Sequence, residues 1–407
     1  MFTEGFFNII LNLGNSWKVT DVQTDIERKE VDVFLEYKGK TAESPTTDEQ
    51  VIIYDHREQR RWRHLDTMQY KTYLNASVPR VKDTDGKIRT IAVPWADSHE
   101  RFTYLFECLA IDLLQATRNQ TKTAKLLDCK FNVVNRILHR ATERGMQRRG
   151  LEQEQLKHLS IDEKSFKKGH KYVSILSDPH TGRVLEVAEG RNKDACGHLL
   201  DSTLTLEQKQ NIKQVSMDMW KAYINTVKEE LPDAHIVHDR FHLIKYLNDA
   251  VDKVRRSEVK KQEELKGTKY LWLKNPDNFT EKQQEKFDQI NTANFLAAKA
   301  WKVKENFRTL FACPNYDQAF DLFVRWAKDA IDTELKQIEK VVRMFCNHGS
   351  GVLYALISNL SNAMAERLNG KIQEIKTAAR GYRRFQNFRS AILFFHGKLS
   401  LFPQNSQ

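Results

Sequence analysis

The sequence predicts a multidomain α/β protein, and three observations carry that expectation. Residues 30–95 alternate apolar and polar in short runs, residues 98–148 switch to helical periodicity, and beyond residue 158 three strand-like runs precede a strand–helix–strand alternation. At 407 residues the chain exceeds one ordinary hydrophobic core, so roughly two to four domains are expected. Apolar residues at 40% and aromatics at 10% are a globular composition.

The first domain is expected over 1–97 as a small β-rich module. "EVDVFLEY", "QVIIYDH", "QYKTYLNASVPRVK" and "IRTIAVPW" read as strands, separated by "KGKTAESPTTDE" and "KDTDGK" as turns. Between two of them lies "DHREQRRWRHLDT", where Arg57, Arg60, Arg61 and Arg63 flank Trp62. That mixture suits phosphate contacts with base stacking, or equally a solvated hairpin.

Residues 98–150 are expected to form a helix-turn-helix unit. "ERFTYLFECLAIDLLQA" and "TKTAKLL" precede a short "DCK" break and "FNVVNRILHRATERG", with Gly145 in the position of a C-cap. Such a unit would turn Asn132, Asn135, Arg136, His139 and Arg140 towards a major groove, although a helical hairpin is also a common structural element.

From 151 to 257 "LKHLSIDEKSF", "GHKYVSILSD" and "RVLEVAEG" read as three strands, the last two a hairpin around "PHTG". The strand "QVSMD", the helix "MWKAYINTVKEEL", the strand "AHIVHD" and the helix "RFHLIKYLNDAVDKVRR" follow. Three antiparallel strands and then β-α-β define an RNase-H-like order. Residues 258–355 carry almost no strand signal and read as an all-α insertion, after which 356–407 completes the core with a helix and the basic "RGYRRFQNFR". Arg380, Arg383 and Arg384 of that tail are candidates for holding DNA.

Three acids stand out. Asp218 ends a strand at the sheet edge where α/β proteins carry their sites, and it also precedes a helix, so it reads as a metal ligand or an N-cap. Asp162 sits on the strand expected beside it, with Glu163 as substitute if the strand phase is shifted by one. Two such carboxylates repel unless a divalent cation lies between them, and a third acid would complete a two-ion site. Glu366 opposes the stripe Met364, Leu368, Ile372, Ile375 and Ala379, on a polar face that meets either solvent or the site.

Charge and cysteines bound the function. Sixty-five Lys and Arg against 54 Asp and Glu give +11, which favours a polyanionic partner. No window approaches a membrane span, and the start lacks a signal-peptide pattern, so a cytoplasmic protein without a membrane partner is expected. The five cysteines lack a CxxC pair, which indicates neither a disulfide framework nor a thiolate zinc site.

The stretches "IDEKSFKKGHKYVSILSDPHTGRVLEVAEGR", "VSMDMWKAYI", "IVHDRFHLIKYLNDAVDKVRR", "YLWLKNPDNFT" and "NAMAERLNGKIQEIKTAARGYRRFQNFR" resemble the DDE transposases of the bacterial insertion-sequence family ISL3. "YDHREQRRWRHLDTMQYKTYLNASVPRVK" is similar to that family's N-terminal module, so the resemblance covers almost the whole chain. It implies a helix-interrupted RNase-H-like core in which Asp162, Asp218 and Glu366 hold Mg²⁺ or Mn²⁺, two ions, for DNA cleavage and strand transfer. It further implies Asp239 and His242 near the site, terminal inverted repeats and target DNA as double-stranded substrates, and a homodimer or higher assembly on DNA. The family's N-terminal module usually holds paired cysteines as a zinc finger; this one has none, so it is expected to fold without zinc. The alternatives are a catalytically inert sequence-specific DNA-binding protein and an RNase-H-fold nuclease without joining activity. A zinc site from His235, His238 and His242 is a weaker reading, because the first two straddle a strand.

Overall fold

The computed structural model describes residues 2–47, 49–83, 85–167, 169, 171–291, 295–358 and 363–404. The chain divides into two compact units, Met1–Arg149 with Leu399–Gln407, and Gly150–Lys398.

The first unit opens with α1 (Phe2–Leu11), which the sequence reading did not anticipate, followed by eight strands among the described residues. These are β1 (Trp17–Asp25), β2 (Glu30–Tyr37), β3 (Thr41–Glu43), β4 (Gln50–His56), β5 (Arg60–Arg63), β6 (Lys71–Ala76), β7 (Pro79–Lys82) and β8 (Ile88–Thr90). They make two sheets, ordered β1-β2-β6-β5 and β3-β4-β7-β8. Alternation on β2 sends Val31, Val33 and Leu35 inward, to a core where Trp95 meets Trp17 and Trp62 edge-on at centroid distances of 4.8 and 5.6 Å. Strand β5 lies inside the basic stretch expected as a nucleic-acid surface or a solvated hairpin: Trp62 faces this core and Arg60–Arg63 pairs with β6.

Helices α2 (Tyr104–Thr117), α3 (Gln120–Leu126) and α4 (Phe131–Arg148) follow. Thr103 caps α2 by accepting from the Phe106 amide, and Asn119 caps α3 by accepting from the Lys122 amide. Gly145 is not the C-cap its position suggested: α4 runs on to Arg148, and a Cβ at Gly145 would lie 2.5 Å from Leu399 Cβ. The glycine is a close-approach site for the end of the chain. Arg144 and Arg148 donate to the Leu401 and Phe402 carbonyls at 2.7 and 2.8 Å, so the segment from Leu399, expected in the catalytic core, belongs to the first unit.

In the second unit β9 (His158–Lys167), β10 (Lys171–Ser177) and β11 (Val184–Glu189) form an antiparallel meander, and β12 (Gln214–Met217) and β13 (His235–His238) run parallel to β9. The sheet order is β11-β10-β9-β12-β13. Its helices are α5 (Lys193–Thr203), α6 (Leu206–Asn211), α7 (Lys221–Glu230) and α8 (Arg240–Glu258). One core joins the sheet to α5 and α7 through Leu159, Ile161, Val215, Leu199 and Val227.

A helical run follows: α9 (Lys269–Leu273), α10 (Glu281–Asn291), α11 (Leu296–Thr309), α12 (Tyr316–Ile331), α13 (Lys336–Asn347) and α14 (Gly349–Ile357). Its core, with Trp272, Phe307 and Phe345, is continuous with the inner face of α8 through Leu243 and Leu247. Gly351 lets α14 approach β13, since a Cβ there would lie 2.6 Å from the His238 ring. Helices α15 (Ala363–Ala378) and α16 (Phe385–His396) complete the unit. Among the described residues no helix is long and apolar enough to cross a membrane.

Candidate active site

The register of β9 against β12 aligns Ser160 with Ser216, and continued two residues further it sets Asp162, in the middle of the longer β9, opposite Asp218, which directly follows the last residue of β12. Strands in this arrangement lie about 4.8 Å apart. The N-cap position of α7 belongs to Trp220, with no side-chain cap bond, so Asp218 is not the cap that its sequence position allowed. Its Oδ1 accepts from the Met219 amide at 2.6 Å and its Oδ2 meets His242 Nδ1 at 2.9 Å.

His242 lies in the first turn of α8, whose N-cap is Asp239, accepting from the Phe241 amide at 2.7 Å. Asp239 therefore shapes the turn that aims His242 at Asp218. Burial opposes ionisation of both partners, yet their mutual hydrogen bond and charge hold the Asp218 carboxyl below and the His242 imidazole above their ordinary values.

Asp162 accepts from the Glu163 amide at 2.7 Å, and its Oδ2 accepts from Asn369 Nδ2 on α15. That helix buries Leu368, Ile372 and Ile375 and is tied to β9 by Lys376 Nζ, which donates to the Ser165 carbonyl at 2.6 Å. The Glu366 side chain lies outside the described residues. Glu163 is engaged elsewhere, pairing with Arg191 at 3.2 Å; burial, joined by the charges of Asp162 and Asp218, raises its pKa against that pairing. Sequence reasoning missed Arg191, whose guanidinium packs over Tyr172 and Trp220 at 4.0 and 4.6 Å. Nothing in "EGRNKD" signals a contact whose partners are distant in sequence.

The histidine alternative does not assemble. His235 is exposed and stacked on Tyr354, His238 is buried with its pKa pushed down to about 4 by desolvation, and the described residues hold no group of three potential metal ligands.

The basic residues of β5 and its preceding turn divide. Trp62, expected to stack on bases, is wholly buried. Arg61 is held by Asp32 and Glu30 at 2.7 and 2.8 Å, and Arg63 pairs with Asp66 beneath a protein surface that leaves its side chain 11% exposed. Trp62 and Arg63 are internal fixtures of the sheet, and Arg61, its side chain 40% exposed, is neutralised by its two acids. Arg57 and Arg60 instead line a cleft of about 610 Å³ with Arg80, Arg101, His56 and His99. Burial and the like charges of Arg101 and Arg57 lower the pKa of Arg60.

On α4, Asn132 and Arg136 are exposed, Asn135 and His139 are half-buried, and Arg140 is turned inward to Glu100 at 2.5 Å and to Asp97. Arg380, Arg383 and Arg384 are exposed around the α15–α16 turn, whereas neighbouring Phe388 is buried against Phe166.

Comparison with known proteins gives these carboxylates a context. Residues 159–392 match a family model of the ISL3 type described as transposase, and residues 48–82 match one described as the zinc-finger of transposase IS204/IS1001/IS1096/IS1165. The transposase for insertion sequence element IS1557 of Mycobacterium tuberculosis is 28% identical over 357 residues, covering 80% of this chain and 78% of its own. The transposase for IS1001 of Bordetella parapertussis is 25% identical over 335 residues, covering 80% and 81%. With the first model spanning more than half the chain, across both aspartates and α15, this protein belongs to the ISL3 family of insertion-sequence transposases.

Proposed function

We propose that the second unit is an RNase-H-like core that cuts and joins DNA strands at the ends of an insertion sequence, with Asp162, Asp218 and Glu366 as ligands for divalent cations. The observation that carries the reading is the level pair of aspartates on adjacent parallel strands, with α15 tied to one of them through Asn369. Glu366 precedes Asn369 by three residues, one helical turn, on that helix.

The donor set fits a hard cation: Asp162 and Asp218 are half-buried carboxylates brought together by adjacent strands, and oxygen donors of that kind suit Mg²⁺ or Mn²⁺. Two Mg²⁺ or Mn²⁺ ions bound there would lower the pKa of an attacking water or 3′-hydroxyl and stabilise the leaving oxygen. The chain's own part is orientation. His242 fixes one Asp218 oxygen, the Met219 amide holds the other, and Asn369 and the Glu163 amide do the same for Asp162.

Double-stranded DNA, as terminal inverted repeats and target, is the substrate of this reading. The arginine cleft and Arg380, Arg383 and Arg384 supply the backbone contacts, the helix-turn-helix reading of α3 and α4, with exposed Asn132 and Arg136 towards the major groove, supplies sequence recognition, and two ends require at least a dimer. The test is an excision assay in cells with a marker between the element's own flanking sequences. Junction products from wild type and none from Asp218→Asn are expected; equal products from both would overturn the assignment.

A further inference from the structure

The segment that matches a zinc-finger description contains no cysteine, and the first cysteine of the chain is Cys108. A structural zinc needs thiolate or imidazole ligands, normally four. The histidines nearby do not supply them. His64 is buried, bonded to Thr103 Oγ1 at 2.9 Å, and desolvation pushes its pKa down to about 4. His56 and His99 line the cleft that also holds Arg57, Arg60 and Arg101 against the single acid Glu58, with Arg80 already paired to Asp55, a net positive field that opposes a dication.

The two turns that bracket the matched segment are nevertheless tied together. Antiparallel pairing of β4 with β7 brings the β3–β4 turn and the β7–β8 turn to the same end of the sheet. There Asp83, its side chain wholly buried, accepts from Ser44 Oγ at 2.7 Å, from Thr46 Oγ1, and from Arg89 Nη1 at 2.7 Å. Arg89 reaches on to Asp85 through two bonds of 2.7 and 2.6 Å, and Ser44 is itself 1% exposed.

We infer that a buried carboxylate clasp centred on Asp83 fastens the two turns in place of a metal ion, making this module a zinc-free version of the finger its sequence matches. Asp83, itself in the β7–β8 turn, presents two oxygens to Ser44 and Thr46 of the β3–β4 turn and to Arg89 of β8, so one charge holds the two turns as a shared ion would. Arg89 supplies the compensating positive charge that burial of a carboxylate demands. The inference is independent of the chemistry proposed for the second unit.

Two measurements on the full chain test it. First, the Asp218→Asn protein, chosen so that the carboxylate site does not confound the analysis, is produced with added zinc, dialysed and assayed by mass spectrometry for metal. Far less than one zinc per chain is expected, with an unfolding curve unmoved by chelator. About one retained zinc whose removal lowers the unfolding temperature would overturn the inference. Second, Asp83→Asn keeps the shape of the side chain and removes its charge. Hydrogen exchange in residues 44–50 and 85–89 is expected to rise about tenfold while β2 and β6 stay protected. Unchanged exchange in both turns would remove Asp83 as the fastening.

Discussion

Replacing Arg389 by alanine offers a quantitative check on how the last helices are held. On β11, Glu186 is buried, its side chain 9% exposed, and Arg389 of α16 grips it through Nε at 2.7 Å and Nη2 at 2.6 Å. The Val187 amide supplies one further donor at 2.7 Å. Losing the guanidinium strands a largely desolvated carboxylate, which costs about 3–5 kcal/mol for a fully buried pair. Arg389 is 27% exposed and water enters its vacated space, so about 2–3 kcal/mol is the reasoned figure here. For a unit of this size that lowers the melting temperature by roughly 5–10 °C. Thermal unfolding of the full chain measures the shift, and hydrogen exchange localises it to α16 and β11. Adding Glu186→Gln to Arg389→Ala should recover part of the loss, because a neutral amide needs no counter-charge. A shift under about 0.5 kcal/mol, or no recovery in the double variant, would refute the reasoning.

His64 gives a pH dependence in the first unit. Burial, helped by Arg63, depresses its pKa from 6.5 to about 4, so the unfolded chain takes up the proton first; its stabilising effect is complete above about pH 6.5 and declines as pH falls towards 4, by up to about 3 kcal/mol. Unfolding at pH 7 and pH 5 should therefore differ less for His64→Gln than for wild type, and an identical difference would exclude this assignment. In the arginine cleft, Arg57→Ala and Arg101→Ala should each reduce the slope of log affinity against log salt for duplex DNA by about one, equally for element ends and unrelated duplexes. Fluorescence anisotropy reads the slope, and unchanged slopes in both variants would remove the cleft from the DNA interface.

What could be read from the sequence follows from how local each signal is. Strand alternation in "EVDVFLEY" and the strand–helix alternation after residue 213 are local, and both reappear in the sheets. Asp218 could not be resolved between ligand and cap, because both roles put an acid at a strand–helix junction; the chain path through Trp220 removes the cap role, and His242 occupies one of its oxygens instead. In "RRWR" the period of two was present but masked by charge. The arginines read as a nucleic-acid surface until Asp32 and Glu30, some thirty residues earlier, are seen to neutralise Arg61. Gly145 illustrates the same limit, since a glycine near a helix end serves as a cap or as a close-approach site, and the partner Leu399 is far away in sequence.

The lodging of residues 399–402 beside α4 gives the protein a built-in order of assembly. A nascent chain emerges from its amino end, yet the groove around Arg144 and Gly145 stays empty until the whole second unit, Gly150–Lys398, has been made. A polypeptide cut short by a nonsense codon or frameshift anywhere beyond α4 would release the first unit with that groove unfilled. The unit's finished form thus reports that translation has passed through the second unit, which ties maturation of one half to synthesis of the other.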